Sequence, residues 1–336
     1  MPDRPDAWQE GPSLPEERRR LEAGVAALGA RLVVIGGFAT SDREVPRLEI
    51  TREVLVLETL TGDWLALPDA PVAWTHPAVA GIGGSIYLLG GLATEAFTAR
   101  GEVFVLEPGA SLWRERAPMP EGLARGAAGV VVTRGHVFLL GGATSDGVTA
   151  SCLDYQPTSD SWTVLPDLPV ARSHAAATRT DDGTLIVAGG IGAQGEPLGD
   201  VYALPPPPLL PGDWQWELRE PMPTARGGCA YGDVYGQLVC AGGEAGDAVL
   251  RVTESYDPTL DTWTALPELP VDRAGAPGAV IGQRLFVVGG SQTRAFEPTS
   301  NVLVFSLLDT IETRSGHCAG RGRAEELGCA HGVPAM

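Results

Sequence analysis

The chain contains no lysine: all 24 of its basic residues are arginine. That gap removes the phosphate-loop lysine of nucleoside triphosphatases, the kinase lysine and any Schiff-base lysine together. GxSxG, HExxH and CxxC are missing too, so no serine-hydrolase elbow, zinc-protease helix or short-spaced cysteine pair is present. Positive charge is scarce overall. Against 42 acidic residues the net charge is −18, which nucleic acid and anionic membranes would repel. Long apolar runs are absent, none approaching the roughly 18 residues of a membrane span. Met1-Pro2-Asp3-Arg4 carries no apolar stretch, so no signal peptide is expected. Cysteine is sparse: the five residues form an odd set without a regular framework, which fits a reducing, cytoplasmic setting.

What the chain does have is turns. Its 44 Gly and 28 Pro show no collagen period, while 44% hydrophobic and 20% charged residues suffice for a packed core. Many short strands between many turns point to an all-β sandwich, barrel or propeller.

Three markers recur in one phase. A Gly-Gly doublet follows a short apolar run six times, at Gly36, Gly90, Gly141, Gly189, Gly242 and Gly289, in steps of 54, 51, 48, 53 and 47 residues. A Trp followed seven residues later by Pro appears at Trp8, Trp64, Trp113, Trp162, Trp216 and Trp263. Between them lies a third slot. Arg20, Arg125, Arg226 and Arg273 stand 16 residues before a doublet, Trp74 takes that place in the second repeat, and Arg172 stands 17 before its doublet. Periods of this size mark solenoids and propellers.

The pattern resembles the kelch repeat over residues 6–308, and its clearest copy is GGEAGDAVLRVTESYDPTLDTWTALPELP at 242–270. Tyr155 and Tyr256 keep the family's tyrosine, whereas Leu57, Leu106 and Phe305 replace it elsewhere. The fourth repeat departs most, with Pro205 to Pro208 and Pro211 enlarging the loop before Trp214 and Trp216. The resemblance implies an all-β, six-bladed β-propeller over residues 1–308, each blade four antiparallel strands a to d. Trp8 has no doublet before it and the sixth doublet has no Trp after it. The N-terminal strand is therefore expected to complete the last blade beside Val302–Phe305, leaving no open edge. Residues 309–336 are expected to be a disordered tail, although His317, Cys318, Cys329 and His331 are zinc-ligand types.

The slot opens strand a, nearest the axis, so Arg20, Trp74, Arg125, Arg172, Arg226 and Arg273 are expected around the channel mouth. Two readings stay open. The arginines tie blades together, or they form a cationic mouth for a carboxylate or acidic peptide, since arginine binds carboxylates bidentately. His76 and His174 follow the slot by two residues. A His pair could bind metal or exchange protons, yet histidine is common there in the family and a structural role is expected, with no cofactor. Asp42, Glu95, Asp146 and Asp247 sit on b–c loops, Cys229 and Cys240 flank a hairpin as expected buried thiols, and His136 sits in an exposed turn.

Kelch relatives include a copper oxidase, sugar mutarotases and iron-dependent specifier enzymes. The copper set cannot be assembled from Cys152, Cys229, Cys240 and the scattered tyrosines. The expectation is a monomeric, non-catalytic module that binds a protein, an acidic peptide or a small anionic ligand at the mouth, not nucleic acid or membrane. The alternative is a small-molecule isomerase or a metal-dependent lyase using the same mouth.

Overall fold

The structure, a computed structural model, describes residues 7–15, 18–40, 48–94, 96–207 and 214–307. Apolar runs such as Leu32–Ile35, buried on both faces, cannot sit in a sheet with one wet side. They become the second strand of six four-stranded antiparallel sheets set around an axis. Blade 1 is Gly24–Leu28, Arg31–Ile35, Val54–Glu58 and Asp63–Leu67, and blade 2 is Ala78–Ile82, Ser85–Ala93, Thr98–Leu106 and Arg114–Arg116. Blade 3 is Gly129–Thr133, His136–Leu140, Cys152–Gln156 and Ser161–Leu165, and blade 4 is Ala176–Arg179, Leu185–Ile191, Pro197–Leu204 and Glu217–Arg219. Blade 5 is Ala230–Val234, Gln237–Ala241, Thr253–Asp257 and Thr262–Leu266. Blade 6 takes Gly278–Ile281, Arg284–Val288 and Val302–Ser306 from the end of the ring and Trp8–Glu10 from its beginning, with Trp8 opposite Phe305. The expected closure is therefore present. No helix of the described residues is long and apolar enough to cross a membrane.

The tryptophans hold the outer ring. Each indole N–H donates to a carbonyl of the preceding blade: Trp8 to Pro267, Trp64 to Pro12, Trp113 to Pro68, Trp162 to Ala117, Trp216 to Pro166 and Trp263 to Glu220, all at 2.9–3.1 Å. Inside the blade, Tyr155, Tyr256 and Phe305 pack at a tilt against Trp162, Trp263 and Trp8 with centroids 4.8–5.2 Å apart. Phe305 thus keeps the ring contact of the tyrosines. Tyr155 and Tyr256 additionally donate to Asp160 and Asp261 at 2.7 Å.

The doublets hold the inner ring. The first glycine of each has φ between 57° and 68°, and a Cβ there would stand 2.3–2.6 Å from the backbone oxygen of the slot residue in the next blade. Only glycine allows that approach. The second glycine then donates to the same oxygen, as Gly37 does to Trp74 and Gly142, Gly190, Gly243 and Gly290 do to Arg172, Arg226, Arg273 and Arg20. Doublet and slot recur together because they touch. Cys229 and Cys240 are buried free thiols, as expected, and so is Cys152. The proline-rich loop around Pro208 and Pro211, Asp42, Glu95 and the tail with His317, Cys318, Cys329 and His331 lie outside the described residues.

Candidate functional site

The five slot arginines are only 0–2% exposed. Arg125 donates to the Gly141 and Ser151 carbonyls at 3.0 and 2.6 Å and to the Ser151 hydroxyl at 2.6 Å. Arg172 donates to the Gly189 and Asp200 carbonyls at 2.9 and 3.2 Å and lies over the Tyr202 ring. Arg226 pairs with buried Glu254 and reaches the Cys240 carbonyl at 3.2 Å. Arg20 pairs with Glu53, and Arg273 donates to Thr299 Oγ1 at 2.6 Å. Trp74, equally buried, packs on Phe104. The expectation that these six side chains are presented at an open mouth is therefore corrected. Arg125 and Arg172 supply donors to the carbonyl of the first doublet glycine in their own blades, whereas Arg20, Arg226 and Arg273 are held by Glu53, Glu254 and Thr299. Burial lowers Arg125 and Arg273 to about 10, which still leaves both charged at neutral pH.

What faces the axis is the position two residues further on. Glu22, His76, Ala127, His174, Gly228 and Gly275 all have φ between 51° and 64°. They form a belt of backbone bonds from blade to blade: Glu22 N–H to Gly275 O, His76 to Glu22, Ala127 to His76, His174 to Ala127 and Gly228 to His174, each 2.8–3.0 Å. Four non-glycine residues in the left-handed region carry strain of about 1–2 kcal/mol apiece, so the belt must over-determine them.

Three belt side chains converge. Glu22 Oε2 is 3.2 Å from His76 Nε2, and the two imidazoles meet edge to face with centroids 5.0 Å apart. Each imidazole Nδ1 is tied to the hydroxyl of the residue before it, Thr75 at 3.0 Å and Ser173 at 2.9 Å. The Thr75 hydroxyl donates to the Glu22 carbonyl at 3.2 Å, so it accepts from His76 Nδ1–H. This assigns the lone pair of neutral His76 to Nε2, facing the carboxyl. Burial lowers His76 and His174 to about 4 each, with the neighbouring imidazole adding to the effect on His174. Burial also raises Glu22, against the pull of His174.

Below the belt is a cavity of about 560 Å³ walled by the small residues of the first strands, among them Ala26, Gly81, Ala177 and Gly278. Tyr231 of blade 5 crosses it: its hydroxyl accepts from Val130 N–H at 2.7 Å and donates to Val130 O at 3.3 Å, on blade 3. Beyond it Thr178 donates to Asp233 at 3.3 Å. Above the belt, Phe97 meets His76 and Phe38 edge-on at 6.0 and 6.2 Å. Asp146 and Asp247 are exposed at loop tips, and His136 is half-buried against Asp154 at 2.9 Å. The sequence reading placed His76 and His174 together correctly but missed Glu22 and Tyr231. Glu22 carried a usable signal, since it follows Arg20 by the same two residues.

The Kelch motif profile matches residues 225–270. Kelch-like protein terF of Aspergillus terreus is 30% identical over 304 residues, covering 85% of this chain and 65% of its own length. Kelch-like protein 34 of Homo sapiens is 29% identical over 300 residues, covering 84% of this chain and 43% of its own. The chain thus spans less than two thirds of either relative. A solved structure titled "Structure of YjhT" superposes with a TM-score of 0.71 at 16% identity, covering 88% of this chain and 97% of that one, which speaks to the fold alone.

Proposed function

Because this chain belongs to the kelch-repeat β-propeller family, we propose that it is an interaction module which docks a protein partner on the face bearing the b–c loops. The carrying observation is an apolar crescent over blades 6, 1 and 2. Phe296 and Phe97 are 53% and 43% exposed, Leu48 lies beside the cleft shared with Phe296, and Phe38 lies against Phe97. Exposed aromatics gathered on one face are what hot spots are made of. Exposed leucines on the opposite face, Leu60, Leu112 and Leu260, stand one to a blade at c–d turns. With the slot arginines buried, recognition of an acidic peptide would fall to residues such as Arg100 and Arg294, which already face Glu102 and Glu244 at 3.9 and 2.8 Å. Apolar contact is the better-supported basis. In affinity capture from the native host, Phe97→Ser with Phe296→Ser should lose a protein that wild type and a Leu60→Ser, Leu112→Ser control both retain. Equal capture by all three would sink the proposal.

A second reading has its own observation. The cavity under Glu22, His76 and His174, crossed by Tyr231, has the size of a small-molecule site, with a few convergent polar groups in apolar walls. A small molecule that protects the chain thermally, and no longer does so in Tyr231→Phe or Glu22→Gln, would favour an enzyme of the isomerase or lyase kind.

A further inference from the structure

We propose that Glu22, His76 and His174 form a binding site for one divalent transition-metal ion of the zinc type, with an open coordination position toward the central cavity. One donor atom from each lies within 4.8 Å of the others. Ligand atoms held tetrahedrally at 2.0–2.2 Å from zinc stand roughly 3.3–3.6 Å apart. The Glu22–His76 edge, at 3.2 Å, is already close to that separation. Seating the ion then needs a small closure of His174, and its belt neighbours Ala127 and Gly228 leave room for it.

The chemistry of the set selects the ion. Two borderline imidazoles with one hard carboxylate form a set that suits zinc or iron(II), whereas calcium and magnesium call for oxygen ligands throughout. Three protein ligands rather than four leave a place for water or a ligand atom, the arrangement of catalytic rather than structural sites. The remaining belt positions, Ala127, Gly228 and Gly275, offer no side-chain donor, so that open place faces the cavity.

The supports are those a metal site needs. Thr75 and Ser173 hold the Nδ1 atoms, which leaves Nε2 of each ring as the donor. The Thr75 hydroxyl is itself anchored on the Glu22 carbonyl, so ligand and support belong to one network. The backbone belt fixes where each ligand starts. No competing cation intrudes, because the guanidinium groups of Arg20 and Arg172, the slot residues before Glu22 and His174, turn into their own blades.

Full-length protein stripped with a chelator and titrated with zinc chloride should take up one ion per chain by calorimetry. Cobalt(II) should give visible d–d bands, and zinc should raise the melting temperature. Glu22→Gln, close to isosteric, and His174→Ala should each weaken uptake at least about tenfold. Thr75→Val should weaken it by about 10–100-fold, the usual range for loss of a supporting hydrogen bond. His136→Ala should change nothing. No uptake by the wild type would overturn the proposal. So would uptake that persists in Glu22→Gln, because the ion would then sit elsewhere, for instance on His317, Cys318, Cys329 and His331. Circular dichroism separates lost uptake from lost fold, and near-isosteric Glu22→Gln carries the test if His174→Ala does not fold. Phe97→Ser with Phe296→Ser should leave uptake intact, so the docking face and the metal site stand or fall separately.

Discussion

At the slot, five of six repeats carry arginine and the sixth carries tryptophan, and every one is buried. Two residues later the six repeats carry Glu, His, Ala, His, Gly and Gly, all in the same left-handed backbone and all facing the axis. The two positions stand two residues apart in every repeat and differ in what constrains them. The slot side chain is buried within its blade, and in five blades a guanidinium is tied there to a carbonyl, hydroxyl or carboxylate, so one long donor recurs. The belt constrains only φ and a backbone hydrogen bond, which leaves each side chain free to differ. Within a ring of repeats, sameness marks the scaffold and difference marks the place where function can be written.

The sharpest way to break that contrast is to remove a marker shared by all blades. Deleting residues 7–15 takes away the outer strand of blade 6 together with Trp8. Loss of a Trp-sized packing unit alone costs about 3–5 kcal/mol, and the unpaired edge of Val302–Ser306 adds an aggregation hazard. A cooperative melt at the wild-type temperature would show that closure matters less than the geometry says.

Arg226→Ala tests the slot directly. It strands Glu254, 5% exposed, without its cation, and breaking such a pair costs about 3–5 kcal/mol. Arg273→Ala, which gives up one hydrogen bond to Thr299, should cost less. Chemical denaturation would rank the two, and the reverse order would mean that the slot is not held together as described.

The belt should respond more gently and with opposite signs. Gly275→Ala puts a methyl 2.5 Å from Glu22 Oε1 at a positive φ. It should lower stability by about 1–2 kcal/mol and disturb zinc uptake as well. Ala127→Gly relieves the same kind of strain while loosening the unfolded chain. Stability should stay level or rise by up to about 1 kcal/mol, with uptake unchanged. A strongly destabilised Ala127→Gly would make the belt a packing element after all.

The fold was legible because its markers are local and periodic: a doublet, a tryptophan and an arginine at fixed spacings. The strand of residues 8–10 could even be assigned to the far end by matching what the first and last repeats lack. Side-chain direction was not legible. Spacing places Arg125 at the start of a first strand, but whether its long side chain turns outward or folds back onto Gly141 depends on carbonyls freed by the glycine turn. Charge counting favours the outward choice, and the unsatisfied backbone decides otherwise. Tyr231 was hidden for a related reason, since its partner Val130 is about 100 residues away on a blade that is not its neighbour. Nothing in either repeat announces a contact across the axis.

The indole bonds of the outer ring all point the same way, each blade gripping the one before it, and this gives the ring an order of assembly. Blades 1 to 5 can each form from contiguous chain as it emerges. Trp8 cannot: its strand partner Val302–Ser306 lies roughly 300 residues downstream, and its acceptor Pro267 lies 259 residues away. At a synthesis rate of roughly 5–20 residues per second, Trp8 waits about 15–60 s with its indole unplaced. Through that interval the nascent protein is an open arc with an unpaired edge at its growing end. The segment that finally locks the circle is the first part of the ring to be made.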